Sequence, residues 1–397
     1  FLLSPRLSCK ELLIAGNVAG SFGGARVASV EDIVRGAAPL GLASARQDAV
    51  DGADVIVTIG TGVLNYNPVL GFRVKRAAKA GAKLVHIGMA SPDMKKYAKT
   101  IIPAGKTGEA GVLSALCGVI VQKGLCDRGK ISMLKEGVTF LKTRFEEAGG
   151  VTGAALEQLA AELCDHSKKV VFIINEDQML TARPDLKWAH DTLMLAGRSD
   201  SLIVVRNESN SRGMQDVVYG MLGHGPEVAK TAEAVKSGAI RAVVSIGQDP
   251  SALKGLEGVE FSVAVDMFET AFSQSADVVV PLSAIFESLG ASISFDGRMV
   301  RYEPAMAPAH GFDNTAFLGA MLSATGAKVP THEELRDSFV AANPAYSEFM
   351  KTGALLSYSD AGWRPGRFLC EKAAAVDAGS VYRSATTWSK VWEKKVR

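Results

Sequence analysis

At 397 residues the chain is longer than one hydrophobic core of ordinary size organises, so two domains and a tail are expected. Its 44 basic and 42 acidic side chains almost cancel, which removes the electrostatic case for nucleic acid or an anionic membrane as main partner. No run reaches the roughly 18 apolar residues that a membrane span needs; the longest, Ala110 to Val121, is about a dozen and suits a buried helix.

The pattern from Ser8 to Val18 predicts a helix, with glycines at 16, 20, 23 and 24 interrupting regularity, and a second short helix starts at Glu31. The segment Asp54 to Gly88 is a βαβ unit. Val55 to Ile59 is an apolar, β-branched strand ended by Gly60. Asn67 and Pro68 start a helix, as cap and first helical residue, and Gly81 stops it in a left-handed turn. Lys83 to Ile87 is the second strand, parallel to the first because the crossover is a helix.

A loop is expected over Met89 to Lys106, then an apolar helix from Gly108 to Lys123. Residues 127 to 168 read as mostly helical, with Thr152 capping a helix that runs to about His166. Lys169 to Ile174 is another buried strand type, and the alternation resumes. Helices are predicted near Leu186 to Ala196 and Pro226 to Lys236. Strands are predicted at Ser201 to Val205, Arg241 to Ile246, Phe261 to Val265 and Asp277 to Val280. Continuous apolar strands between helices predict parallel sheets covered on both faces. The fold class expected is α/β: two doubly wound, mainly parallel-sheet domains, residues 1–165 and 166–325. A less regular tail, 326–397, is either a docking extension for a partner or an ordinary surface extension.

Motifs with self-evident chemistry are few. Gly60-Thr61-Gly62 lies where ligands sit in open α/β sheets, beyond the carboxyl end of a strand. The dinucleotide fingerprint GxGxxG is not met, because Leu64 and Asn65 follow and the helix begins only at Asn67. No GxxxxGK[ST] and no GxSxG occurs. The six histidines, His86, His166, His190, His224, His310 and His332, show no metal-ligand spacing. Cys9, Cys117, Cys126, Cys164 and Cys370 form no CxxC pair and read as reduced thiols. Glu146-Glu147 and Glu333-Glu334 look like solvated helix faces. In the segment Ser275 to Arg301 a strand ends at Pro281 and Gly290 turns the chain. The second turn there, Asp296-Gly297-Arg298, presents a guanidinium, either for an anion or partner or for a local ion pair. The sequence opens Phe-Leu-Leu-Ser-Pro without Met, and a missing N-terminal portion is expected.

Four segments together resemble the molybdopterin oxidoreductase superfamily, and within it the C-terminal part of the large iron–sulfur subunit of respiratory complex I. Ser4-Pro5-Arg6-Leu7 with Glu11 and Leu12 is similar to SPRxTNEE. Ala53 to Gly60, Asn67 to Leu70, Arg73-Val74 and Ala80 to Leu84 are similar to ADxIxxIGxNPxxxHPVxxxRIxxAxxxGAKL. Asn207 to Asp216 resembles NxxGAxDMG, and Ser245 to Pro250 the GxNP or GxDP turn. Ala276 to Pro281, Glu287 and Gly297-Arg298 resemble ADVVLPxxxxxEkxGTfxNxEGRxQ. The resemblance covers roughly residues 4 to 325.

The resemblance implies cofactor-binding positions at Gly60, Thr61, Asn67, Glu109, Asp249 and Arg298, and the departures imply that they are vestigial. Relatives that hold a guanine dinucleotide continue the second strand with DPRxT, whereas this chain has Gly88-Met89-Ala90-Ser91-Pro92. Glu109 stands in partially for the Asp of PGTDxAL. The implied function is that of a non-catalytic scaffold within an NADH-quinone oxidoreductase or related electron-transfer complex. Such a module binds no cofactor in this segment, leaves 4Fe-4S clusters to an upstream part, and partners other subunits of the complex. Its implied place is peripheral, on the cytoplasmic face of the inner membrane or the mitochondrial matrix side. The alternative is a fragment of a formate dehydrogenase-like molybdenum or tungsten oxidoreductase that binds bis-pterin guanine dinucleotide (molybdopterin guanine dinucleotide).

Overall fold

The computed structural model describes residues 1–35, 45–60, 62, 64, 67–104, 108–126, 154–175, 184–206 and 208–346. Its strands, in chain order, are β1 (Leu2–Leu3), β2 (Val55–Ile59), β3 (Lys83–Ile87), β4 (Thr100–Ile102), β5 (Val170–Asn175), β6 (Leu202–Val205), β7 (Ala242–Ile246), β8 (Phe261–Asp266), β9 (Val278–Pro281), β10 (Gly290–Ile293) and β11 (Met299–Tyr302). The chain is mixed α/β with parallel sheets, and it divides into two units. Among the described residues, unit 1 joins those up to 46 to those from 204 onward, and unit 2 is residues 47–203. The expected boundary at 165/166 falls inside unit 2, because β5 pairs in parallel with β2 along its length, Val55 opposite Val170 through Ile59 opposite Ile174.

Unit 2 is a five-stranded sheet in the order β4-β3-β2-β5-β6. The chain leaves β2 in one direction through β3 and β4, then returns to place β5 on the other side. The switch point of the sheet is therefore between β2 and β5. All five side chains of β2 and all six of β5 are buried, as a strand covered on both faces requires. Fully burying each large aliphatic contributes about 2 kcal/mol. The helix Pro68–Lys79 crosses between β2 and β3 as expected, with Asn67 accepting from the Leu70 amide at 3.0 Å. The loop predicted over Met89 to Lys106 instead contains the helix Pro92–Tyr97, capped by Ser91, and β4. Its six-residue helix and three-residue strand are too short to give a periodic signal.

Unit 1 is a four-stranded sheet in the order β1-β7-β8-β9, every pairing parallel, with the antiparallel hairpin β10-β11 beside it. Residues far apart in the chain pair here: Leu2 lies opposite Ser245. The helix Cys9–Gly20 starts in a capping box in which Ser8 and Glu11 satisfy each other's amides. Gly16, expected to interrupt this helix, lies within it, because the Leu222 side chain fills the space a methyl group would need. Gly290, where the sequence places a turn, opens β10 instead, and its partner strand lies only a tight turn away. Residues 326–346 are not a loose appendage. The helix His332–Ala342 buries Leu335 and Phe339, and with Tyr346 they belong to the unit 1 core. The helix expected to run to about His166 is Ala154–Cys164, whereas its expected cap Thr152, the helical stretch expected from 127 onward before it, and the remainder of the tail lie outside the described residues.

Candidate functional site

Parallel strands deliver all their carboxyl ends to one sheet edge, and both sheets turn the chain there with the same device. Gly60 after β2, Gly88 after β3 and Gly247 after β7 each donate to a carbonyl near the end of the neighbouring strand, then turn away with φ of 77°, 121° and 70°. Only glycine takes such angles without strain.

At the unit 2 edge, Gly60 is open, with nothing within 4 Å of where a Cβ would stand. Asn67 is engaged in capping its helix, and Thr61 lies outside the described residues. Gly88 faces Glu109 in the first turn of the helix Gly108–Gln122, whose Oε1 is 2.6 Å from the position a Cβ would take. Glu109 thus occupies the space above the end of β3. Beside it, the buried His86 ring meets Thr58 Oγ1 at 3.0 Å through Nδ1 and the Met89 carbonyl at 3.2 Å through Nε2.

Burial lowers the His86 pKa from 6.5, more than the Met89 carbonyl and the Glu109 charge raise it. Below pH 6.5 the unfolded chain therefore takes up a proton that folded unit 2 resists, and stability falls as pH falls through that window. A His86→Gln variant loses this component. In paired thermal melts the parent's midpoint should drop further than the variant's once the pH is below 6.5.

At the unit 1 edge, Arg6 follows β1. Its guanidinium is held in a two-point ion pair by Glu208, Nε to Oε2 at 2.6 Å and Nη2 to Oε1 at 3.1 Å. That pairing raises the Arg6 pKa, and the charges of Glu31 and Asp266 act in the same direction. Asp249, after β7, is exposed and accepts from the Ser251 amide at 3.0 Å, a turn role. Arg298 resolves to a local ion pair, with Nη2 2.9 Å from Asp296, whose carboxylate also accepts from Ser294. Of the expected positions, Gly60, Asn67 and Glu109 share the unit 2 edge and Asp249 lies at the unit 1 edge. Arg298 serves its own hairpin. Sequence reasoning missed the Arg6–Glu208 pair. Both residues stand in segments quoted above, but 202 positions separate them and no local pattern joins them.

Among the described residues no group of His, Cys, Asp and Glu is placed to hold a metal ion. Burial pushes the Cys9 thiol up to about 12, where it is inert. No described helix is long and apolar enough to cross a membrane.

A protein-family model for molybdopterin oxidoreductase matches residues 28–311. The chain belongs to the molybdopterin oxidoreductase family. This family member is similar to the NADPH-Fe(3+) oxidoreductase subunit alpha of Geobacter sulfurreducens, 25% identical over 421 residues covering 91% of this chain and 50% of that one. Formate dehydrogenase H of Escherichia coli is 20% identical over 309 residues, covering 65% and 43%. A subunit of the NADH-quinone oxidoreductase of Streptomyces coelicolor is 24% identical over 275 residues, covering 66% and 31%. Among solved structures, acetylene hydratase from Pelobacter acetylenicus shares the fold, with a TM-score of 0.51 at 16% identity over 91% of this chain and 55% of that one. The chain spans half or less of the length of these curated relatives.

A pterin guanine dinucleotide, the group the family implies, brings a pyrophosphate, which is held by amides and cationic side chains. Among the described residues both edges supply turn amides; Glu109 stands at one, where the family's PGTDxAL has Asp, and at the other the Arg6 guanidinium is already paired with Glu208.

Proposed function

We propose that this chain is a catalytically silent α/β module of the large iron–sulfur subunit of an NADH-quinone oxidoreductase or a related electron-transfer complex. Its role is to hold neighbouring subunits that carry the redox groups, with 4Fe-4S clusters in an upstream part of the same polypeptide. It works peripherally, on the cytoplasmic face of the inner membrane or its mitochondrial matrix equivalent. One observation carries this reading: the parallel sheets and their glycine turns are present, while the Arg6 guanidinium at the unit 1 edge, which could meet a pyrophosphate, is already paired with Glu208. Gly60, Asn67, Glu109, Asp249 and Arg298 are then remnants of a cofactor site, with Asn67, Asp249 and Arg298 engaged in caps, turns and a local ion pair.

The alternative is a molybdenum or tungsten oxidoreductase that binds molybdopterin guanine dinucleotide. The similarity to formate dehydrogenase H and the unobstructed backbone at Gly60 favour it. Elemental and pterin analysis of the intact complex separates the two. The scaffold reading expects neither molybdenum nor tungsten in stoichiometric amount and no pterin fluorescence after oxidation. One metal per chain together with released pterin would overturn it.

A further inference from the structure

The geometry points to a protein-docking surface on the carboxyl edge of the unit 1 sheet, whose occupant is a lysine- or arginine-bearing, partly apolar segment of a partner subunit. Because β1, β7, β8 and β9 are parallel, the loops that follow them emerge side by side. After β8 stand Met267 and Phe268, the latter 69% exposed; after β9 stand Ile285 and Phe286, the latter 53% exposed. Met306, 54% exposed, joins them, because its amide donates to the Phe286 carbonyl at 3.3 Å. Single exposed apolar side chains are ordinary, but a cluster of aromatic residues and methionines on one edge is the composition of an interface core.

These side chains are held out on braced turns. The Phe268 amide donates to Asp266 Oδ1 at 3.0 Å. The turn Ile285–Glu287 is tied by Glu287, which accepts from the Ala284 amide at 2.8 Å and from the Ala309 amide at 3.2 Å. A surface fixed in this way binds with little further ordering cost.

Charge selects the occupant. The connections that follow the four strands, 4–8, 247–260, 267–277 and 282–289, contain one arginine, Arg6, and one lysine, Lys254. Arg6 is paired with Glu208, and Glu31 and Asp266 add negative potential around it. The same segments add Asp249, Glu269 and Glu287. A second copy of this chain would bring the same acidic edge against itself, and an anionic lipid surface or a free phosphate would be repelled. A basic polypeptide with an apolar face satisfies both the carboxylates and the exposed rings. This rests on the scaffold reading only in taking the partner to be a subunit of the same complex.

The test is made on the intact complex. Peroxide oxidation of methionines is followed by mass spectrometry, with the urea-unfolded complex as reference for full exposure and the buried Met94 and Met214 as reference for protection. Met267 and Met306 should oxidise as slowly as Met94. A carbodiimide, which joins carboxylates to amines at contact distance, should link Glu269 or Asp266 to lysines of another polypeptide. In a complex carrying Glu269→Lys, the partner should be lost at a lower salt concentration than in the parent. Free oxidation of Met267 and Met306 in the complex would overturn the proposal. Protection by another stretch of this chain, by a second copy, or by a partner face without lysine or arginine would do the same. The metal and pterin result is independent of all these outcomes, so a failure here is distinguishable from a failure of the scaffold reading.

Discussion

Replacing Asn210 with leucine should lower the unfolding free energy of unit 1 by about 4 kcal/mol, because two buried backbone groups lose their partners at roughly 1–3 kcal/mol each. Asn210 is fully buried. Its Nδ2 donates to the Leu7 carbonyl at 2.6 Å, and its Oδ1 accepts from the Ile293 amide at 2.6 Å. One carboxamide thus fastens the entry to the helix Cys9–Gly20, 203 positions before it, to the hairpin β10-β11, 83 positions after it. Leucine has a similar volume, so the cost arises from polarity rather than from a cavity. Gly213 packs against the carboxamide so closely that no side chain fits there, which leaves Asn210 no room to retreat. Urea unfolding followed by circular dichroism measures the effect. A loss below about 1 kcal/mol, the net value of an ordinary hydrogen bond, would mean that water or a shifted backbone satisfies both groups.

Phe172→Ala should cost unit 2 about 4 kcal/mol, within the range for truncating a buried phenylalanine. Phe172 is fully buried in β5, opposite Val57 of β2, and its amide donates to the Ser201 carbonyl at 2.8 Å. Its volume is lost from between covered layers, where the sheet cannot collapse to fill the gap. The location of the damage is as informative as its size. Native-state hydrogen exchange should lose protection in β2 and β3 and keep it in β7 and β8. Equal loss in β7 and β8 would place β5 with the later strands, as a domain boundary at residue 165 implies.

The individual elements were legible because each is a local pattern. Val55–Ile59 and Lys83–Ile87 are runs of β-branched residues closed by glycine, and Asn67-Pro68 is a start signal that needs no distant partner. The apolar helix Gly108–Gln122 was equally clear. The helix Pro92–Tyr97 and β4 were not, since six and three residues carry too little periodicity, and the hairpin β10-β11 hid behind the glycine that opens it. Of the candidate site, the strand-end glycines and the cap could be read directly. The ion pair that occupies Arg298 was one of two alternatives the sequence left open, and the structure chose it.

What the sequence by itself determined is the longer strands and helices, the parallel pairing of β2 with β3 through a helical crossover, and the family to which the chain belongs. Only the tertiary structure decided which strands share a sheet. Register between Leu2 and Ser245, or between Val57 and Phe172, is set by which buried faces match after collapse, and intervening length says little about it. The tertiary structure likewise decided the charge of the two carboxyl edges. In the sequence Arg6 is a basic residue with no acidic neighbour closer than Glu11. It becomes a neutralised group once folding brings Glu208 within 2.6 Å of it, with the charges of Glu31 and Asp266 acting on it too, because the field at an edge is the sum over residues that only the fold assembles.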